Sequence, residues 1–324
     1  MAERSTGARI VSGRARERVP YALPDYAGRP RQRPGIGVTM VLATGLMAIA
    51  LAGFVSVSAI FDPSSPAAPD GGSGADAVPG QDPSPGQDGA EVLTDNPLYS
   101  TGEMTEVTCK APALDPEDEA SMEKFLHDMT DCLDQAWSKQ FADAEMEFDP
   151  PSRIYWYAAG QSPCGNYPVQ GTAAFYCQAN GGLYLGVEDI VANSDKSEHP
   201  EAYTFLLSHE YAHHVQGEVG ILGYFHSKRG AESDRPTRDL LTRRSELQAN
   251  CLGGTFLGAT ESSFPIGTEE QANILEDAER RGDYGSDNRT HGSPDNGRMW
   301  TAHGMDRMDP AACNTWEARE DVVE

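Results

Sequence analysis

Ser208-His209-Glu210-Tyr211-Ala212-His213-His214-Val215-Gln216 is the stretch on which the reading of this chain turns. It contains His-Glu-x-x-His. Residues four apart on a helix share a face, so His209 and His213 can aim both imidazoles at one metal ion. Glu210 sits one position round, where it can reach a water on that ion. Two nitrogen ligands beside a carboxylate base form the pattern of zinc-dependent hydrolysis. The residues leading in (Tyr203, Phe205, Leu206 and Leu207) are apolar, which predicts a buried helix from about Pro200 to Gln216, ended by Gly217. Four letters alone are weakly specific, so the rest of the chain has to support the reading.

A zinc site of this type takes a third protein ligand and leaves the fourth position to water. His214, His226, Glu246 and His291 are the candidates. His214 follows His213 directly and points about 100° away from it. His226 falls in residues 218–236, which read as a polar, Gly-containing connection. Glu246 lies on a helix predicted to start near Pro236-Thr237, and Asn250 one turn later shares its face. Asn250 can accept a hydrogen bond from the free nitrogen of a metal-bound histidine. Glu246 is therefore the best-placed third ligand, with His209 and His213 as the other two and Zn2+ as the cofactor.

The surroundings of the motif come from charge and cysteine usage. The chain carries 50 acidic and 25 basic residues, a net charge of -25, which argues against nucleic acid as a partner. The balance is uneven: residues 1–33 hold eight arginines against three acidic residues, net +5, leaving -30 for the remainder. Such a split suggests two environments. All six cysteines (Cys109, Cys132, Cys164, Cys177, Cys251 and Cys313) come after residue 100. An even set with no Cys-x-x-Cys suggests disulfides made in an oxidising compartment, rather than a structural zinc site.

Read in order, residues 1–35 are a basic, Arg-, Pro- and Gly-rich tail expected to be disordered and cytoplasmic. From Pro34 to Phe61 there is no charged residue, and 36–60 is long enough to span a bilayer as one uncleaved transmembrane helix. A cleaved signal peptide is the competing reading, and both export the chain beyond residue 62. Residues 61–97, rich in Pro, Gly, Ser and Asp, are expected to form an extended stalk. The extracytoplasmic domain then occupies 98–316, with an acidic tail at 317–324. Within the domain, Asp115-Pro116 reads as a helix start. Met122, Phe125, Leu126, Met129, Leu133, Ala136 and Trp137 form the apolar stripe of that helix. Residues 153–158 read as a strand, and 171–177 and 183–185 as two more flanking the turn Asn180-Gly181-Gly182. Cys164 and Cys177 could staple the loop before that hairpin. One further helix is expected near 269–281.

Several motifs stand in order along the chain. Cys164-Gly165, Ala174-Phe175-Tyr176-Cys177 and Leu183-Tyr184-Leu185 come first, then His209 to Gln216. Glu246-Leu247-Gln248-Ala249-Asn250-Cys251 comes next, and His291-Gly292-Ser293 and Cys313-Asn314-Thr315-Trp316 complete the series. Together, over roughly 96–316, they resemble the bacterial putative neutral zinc metallopeptidases. The resemblance implies an α+β, zincin-like domain, mainly helical with a small sheet. It implies zinc on His209, His213 and Glu246, with Glu210 catalytic. It also implies a Cys251–Cys313 bridge, leaving Cys109–Cys132 and Cys164–Cys177. Three positions depart from the family pattern. Asn250 and Gly186 each stand where the family has Asp, and Gly297 stands where it has Arg.

The expected activity is hydrolysis of a protein or peptide substrate outside the plasma membrane, with Glu210 moving the proton. His291 is a candidate donor to the oxyanion, and the strand around 173–176 is expected, by analogy with zincin folds, to pair with an extended substrate. The rival expectation, motivated by the three departures, is a weakened or inactive zincin-like domain serving as an envelope-anchored binding module.

Overall fold

The computed structural model describes residues 89–168, 172–285 and 289–324. The basic segment, the apolar run 36–60 and most of the expected stalk lie outside the described residues. Among the described residues, no helix is long and apolar enough to cross a membrane. The fold is α+β, mostly helical with a small sheet.

Folded structure begins earlier than residue 98. Glu91–Thr94 forms a short helix, α1, that buries Val92 and Leu93 in the main core. Asn96 is buried, and its amide donates to the Val92 and Val219 carbonyls at 3.0 Å each. The end of the stalk composition is thus part of the domain, because two apolar residues and one amide find partners there.

Helix α2, Glu119–Asp143, starts three residues after the expected Pro116. Asp118 is its cap, accepting from the Ala120 amide at 3.0 Å, while Asp115 accepts in the turn before it. The predicted stripe from Met122 to Trp137 is buried. Each fully buried side chain of this size contributes about 1.5–3 kcal/mol of burial.

Strands β1 (Ser152–Trp156), β4 (Ala174–Cys177) and β5 (Gly182–Gly186) make one sheet in the order β1-β5-β4. β5 runs parallel to β1 and antiparallel to β4. The hairpin turn expected at 180–182 is present, with Gly181 left-handed. β2 (Gly160–Ser162) and β3 (Gly165–Tyr167) form a separate antiparallel pair. Helix α3, Val187–Asn193, comes directly after β5.

Helix α4, Glu201–Glu218, carries the histidine motif and lies at the centre, against α2, β4 and the later helices. Its apolar residues surround it rather than forming one stripe, as expected of a helix covered on several sides. Gly217 remains helical, and the chain turns instead at Gly220, which adopts φ 79°. Residues 221–231 form a helix, α5, where the sequence suggests a connection. Ile221, Leu222 and Phe225 are its buried face. Helix α6, Arg235–Thr260, is capped by Asp234 with Pro236 in its first turn. From Ser245 onward it is almost wholly buried.

Helix α7 spans Thr268–Arg280, and Pro294–Arg307 forms a further helix, α8, beyond the one expected near 269–281. α8 packs on α6 backbone to backbone: a Cβ at Gly304 would stand 1.9 Å from the Cys251 carbonyl oxygen, and one at Gly254 would stand 2.4 Å from that of Thr301. The supposed acidic tail is not free. Val323 is fully buried, and the Val322 and Val323 carbonyls accept from the Trp300 indole (2.7 Å) and Arg243 (2.9 Å). The disulfides are Cys109–Cys132, Cys164–Cys177 and Cys251–Cys313, the pairing the resemblance implies.

Candidate metal centre

His209 and His213 project from adjacent turns of α4, with ring centroids 4.8 Å apart and planes at 87°. Glu246 reaches them from α6. Its Oε2 lies 3.3 Å from Nε2 of His209 and 3.4 Å from Nε2 of His213. Among the described residues this is the only group of three such side chains whose donor atoms converge, all within 4.8 Å of one another.

The spacing tests the fit to a metal. A direct imidazolium–carboxylate bond closes to about 2.7–2.9 Å. Four donors about 2.0–2.2 Å from a tetrahedral ion stand about 3.3–3.6 Å apart. Both separations from Glu246 Oε2 fall in the second range. The other ring nitrogens are engaged: His209 Nδ1 meets Asn250 Oδ1 at 2.8 Å, and His213 Nδ1 meets Gln216 Oε1 at 2.8 Å. Each oxygen accepts the Nδ1 proton, so each ring in its neutral form offers its Nε2 lone pair towards the common point. Two neutral imidazoles and one carboxylate suit Zn2+.

The protein's own charges accentuate the site. Burial would raise the Glu246 carboxyl, but His213 and the bonds from both histidines hold it well below the usual carboxylate range. Burial would lower His213, but the facing Glu246 carboxylate pushes it up, to about 9. Burial pushes Glu210 up, with His209 and His213 opposing. A raised carboxyl beside the ligands suits a group that both takes and returns a proton.

The other histidines fall apart spatially. His214 turns away from the site into a cage of Phe148, Tyr176 and Tyr211, at ring distances of 5.4, 5.3 and 5.5 Å. Burial lowers it to about 4, so it is a neutral core residue. His226 lies on α5 rather than in a connection. Burial, then the charge of His213, lowers it to about 4. His291 precedes α8 in a loop, half-exposed, with Nδ1 3.6 Å from Asp283 Oδ1. Asp283 Oδ2 accepts from the backbone N–H groups of His291 (2.7 Å) and Gly292 (3.0 Å). The bond to Asp283 holds the His291 imidazole above its ordinary pKa, against burial, and the charges of Glu246 and His213 reach it.

Two of the three positions singled out above, Gly186 and Gly297, are closely packed. A Cβ at Gly186 would stand 2.4 Å from the Trp156 indole, so a larger residue there would have to displace that ring. A Cβ at Gly297 would stand 2.8 Å from the Ala278 carbonyl oxygen and 3.7 Å from the Asn250 amide nitrogen. Positions 250 and 297 are therefore neighbours, and both are uncharged here. Gln216, Gln248 and Asp283 escape sequence reasoning as functional candidates. Gln216 stands three residues after His213, a helical spacing that could have flagged it. Asp283 carries no such signal.

A model of the family described as putative neutral zinc metallopeptidase matches residues 83–316. The uncharacterized protein YpfJ of Escherichia coli K12 is 27% identical over 214 residues, covering 62% of this chain and 72% of its own length. The uncharacterized protein Rv2575 of Mycobacterium tuberculosis H37Rv is 27% identical over 195 residues, covering 53% of this chain and 64% of its own length. No solved structure matches.

Proposed function

The chain belongs to the putative neutral zinc metallopeptidase family, and from that premise we propose that it is a zinc-dependent peptidase acting outside the plasma membrane. The observation that carries this reading is the convergence of His209, His213 and Glu246 beside Glu210, with the Glu246 oxygen 3.3 and 3.4 Å from the two histidine nitrogens. Zinc held there would supply Lewis acidity and make a water nucleophilic near neutral pH.

The chain's own residues do the rest. His209, His213 and Glu246 hold the ion, with Asn250 and Gln216 fixing the two rings. Glu210 takes the proton of the attacking water and returns it to the leaving amine. His291, fixed by Asp283, donates to the developing oxyanion. β4 is an edge of its sheet and packs against α4, which supports pairing of its free side with an extended peptide. The arrangement supports a zincin-like reading of the domain.

The location rests on the sequence. Arginines precede an uncharged run of membrane-spanning length, which favours one N-terminal anchor with its N-terminus in the cytoplasm. Three disulfides in the domain suit an oxidising compartment. Asn250 in place of the family's Asp favours one second reading, a binding module with little or no activity.

The deciding experiment is cleavage of casein and a peptide library by the purified full-length chain, with zinc content measured in parallel. Cleavage lost with chelator, restored by zinc and reduced about 10²–10⁴-fold in Glu210→Gln supports the peptidase. A zinc-replete chain that cleaves nothing, or a Glu210→Gln variant as active as the parent, refutes it.

A further inference from the structure

Behind His213 lies a run of buried hydrogen bonds whose direction is determined at its far end. Two of its groups have no choice of role. The Trp316 indole N–H can only donate, and the Cys313 carbonyl can only accept. Gln248, fully buried on α6, lies between them: its Oε1 is 3.1 Å from Trp316 Nε1, and its Nε2 is 3.1 Å from the Cys313 oxygen. Reversing this amide would set nitrogen against indole N–H and oxygen against carbonyl. Its second amide hydrogen goes to the Tyr99 hydroxyl at 2.7 Å, which donates onward to the Leu93 carbonyl.

The orientation passes to Gln216, also fully buried. Its Nε2 stands 2.9 Å from Gln248 Oε1 and 2.9 Å from the Ser245 carbonyl. Both partners are acceptors, so both amide hydrogens are spent there. Gln216 Oε1 is then the only end left for His213, 2.8 Å away at Nδ1. An oxygen there requires the ring proton on Nδ1, which leaves Nε2 free to bind a metal.

We propose that the Trp316–Gln248–Gln216 chain sets the tautomer of His213, making Gln248 and Trp316 remote positioning residues of the metal centre. Neither touches a proposed ligand. Their influence crosses from the C-terminal segment, tied to α6 by Cys251–Cys313, to the motif helix. An apolar residue of similar shape at 248 would fill the space but leave the Gln216 amide held by Ser245 alone, raising the share of the flipped amide that presents nitrogen to His213 and favours the tautomer that cannot bind through Nε2.

The inference rests on the zinc reading of the site, and its test separates the two. Zinc affinity of the full-length chain is measured by chelator competition for the parent, Gln216→Met, Gln248→Met and the milder Trp316→Phe. Histidine-selective 15N NMR of the zinc-loaded protein tracks the His213 Nδ1–H proton. The expected result is a loss of affinity of about 10–100-fold in Gln216→Met and about tenfold in Gln248→Met, with a smaller loss in Trp316→Phe. The Nδ1–H resonance should shift and exchange faster with water in both remote variants. Zinc bound with parental affinity and an unmoved resonance in Gln248→Met and Trp316→Phe overturns the relay alone. A parent chain that binds no zinc overturns the metal reading and the relay with it.

Discussion

Asn250 places its side-chain oxygen 2.8 Å from Nδ1 of His209, one helical turn beyond Glu246 on α6. A neutral amide thus supports the first histidine of the motif, and Gln216 supports the second. Both supports are acceptors without charge, so both histidines are oriented without the added basicity a carboxylate confers.

Asn250→Asp should therefore tighten zinc binding by about tenfold, and Asn250→Leu should weaken it by about 10–100-fold. Chelator competition reads both. Equal affinity in the two variants would show that Nδ1 of His209 needs no acceptor.

Glu246→Gln should empty the site while leaving the fold intact. The carboxylate is the one anionic donor of the three, and the side chain remains the same size. Zinc per chain should fall well below one, with an unchanged far-ultraviolet circular dichroism spectrum. Stoichiometric zinc in the variant would remove Glu246 from the ligand set.

On the proposed role of its imidazole at the oxyanion, His291→Ala should lower kcat about 10²–10³-fold with zinc content unchanged. Asp283→Asn should give a smaller loss, since an amide oxygen still accepts the backbone bonds but no longer favours the charged ring. A variant that loses zinc instead of kcat would place His291 in the metal site.

His214 and His303 are buried and held near 4 by burial, against an ordinary value of 6.5. His303 has no partner at either ring nitrogen. Both remain neutral in the folded chain while the unfolded chain takes up protons. Their contribution is whole above pH 6.5 and disappears as pH falls from 6.5 to about 4, at up to about 3 kcal/mol each. Urea unfolding of the metal-free chain across that window should show His303→Leu losing stability less steeply than the parent. A parallel pH dependence would mean that His303 charges freely in the native state.

Cys251–Cys313 closes a loop with a sequence separation of 62 residues. Replacing both cysteines with alanine should cost about 4 kcal/mol of stability by the chain-entropy relation. Denaturant unfolding measures it. A change below about 1 kcal/mol would mean that the α6–α8 contact alone holds the C-terminal segment in place.

Much of the site is legible because it is local. His-Glu-x-x-His reads as one helix face at a spacing set by helix geometry alone. The stripe of α2 is the same kind of signal, and the Asp234 cap with Pro236 places the start of α6 close to the residue expected from sequence. α5 and α8 give no comparable pattern. α5 buries only Ile221, Leu222 and Phe225, and α8 meets α6 through Gly304, where an absent side chain makes the contact. The segment 317–324 reads as a tail because its composition is acidic, but its backbone carbonyls and Val323 hold it down, and composition does not record carbonyls.

Sequence alone pointed to the two histidines, the carboxylate beside them and, through a face shared with Asn250, Glu246 as the best-placed third member of the group the structure brings together. Tertiary structure decided which polar groups stand behind them. Gln216, Gln248 and Asp283 are ordinary in sequence, and their roles arise from partners 29 to 68 residues away or across a loop. Helix periodicity is a short-range property of the chain. The direction of a buried hydrogen bond is settled only when burial leaves each donor a single acceptor.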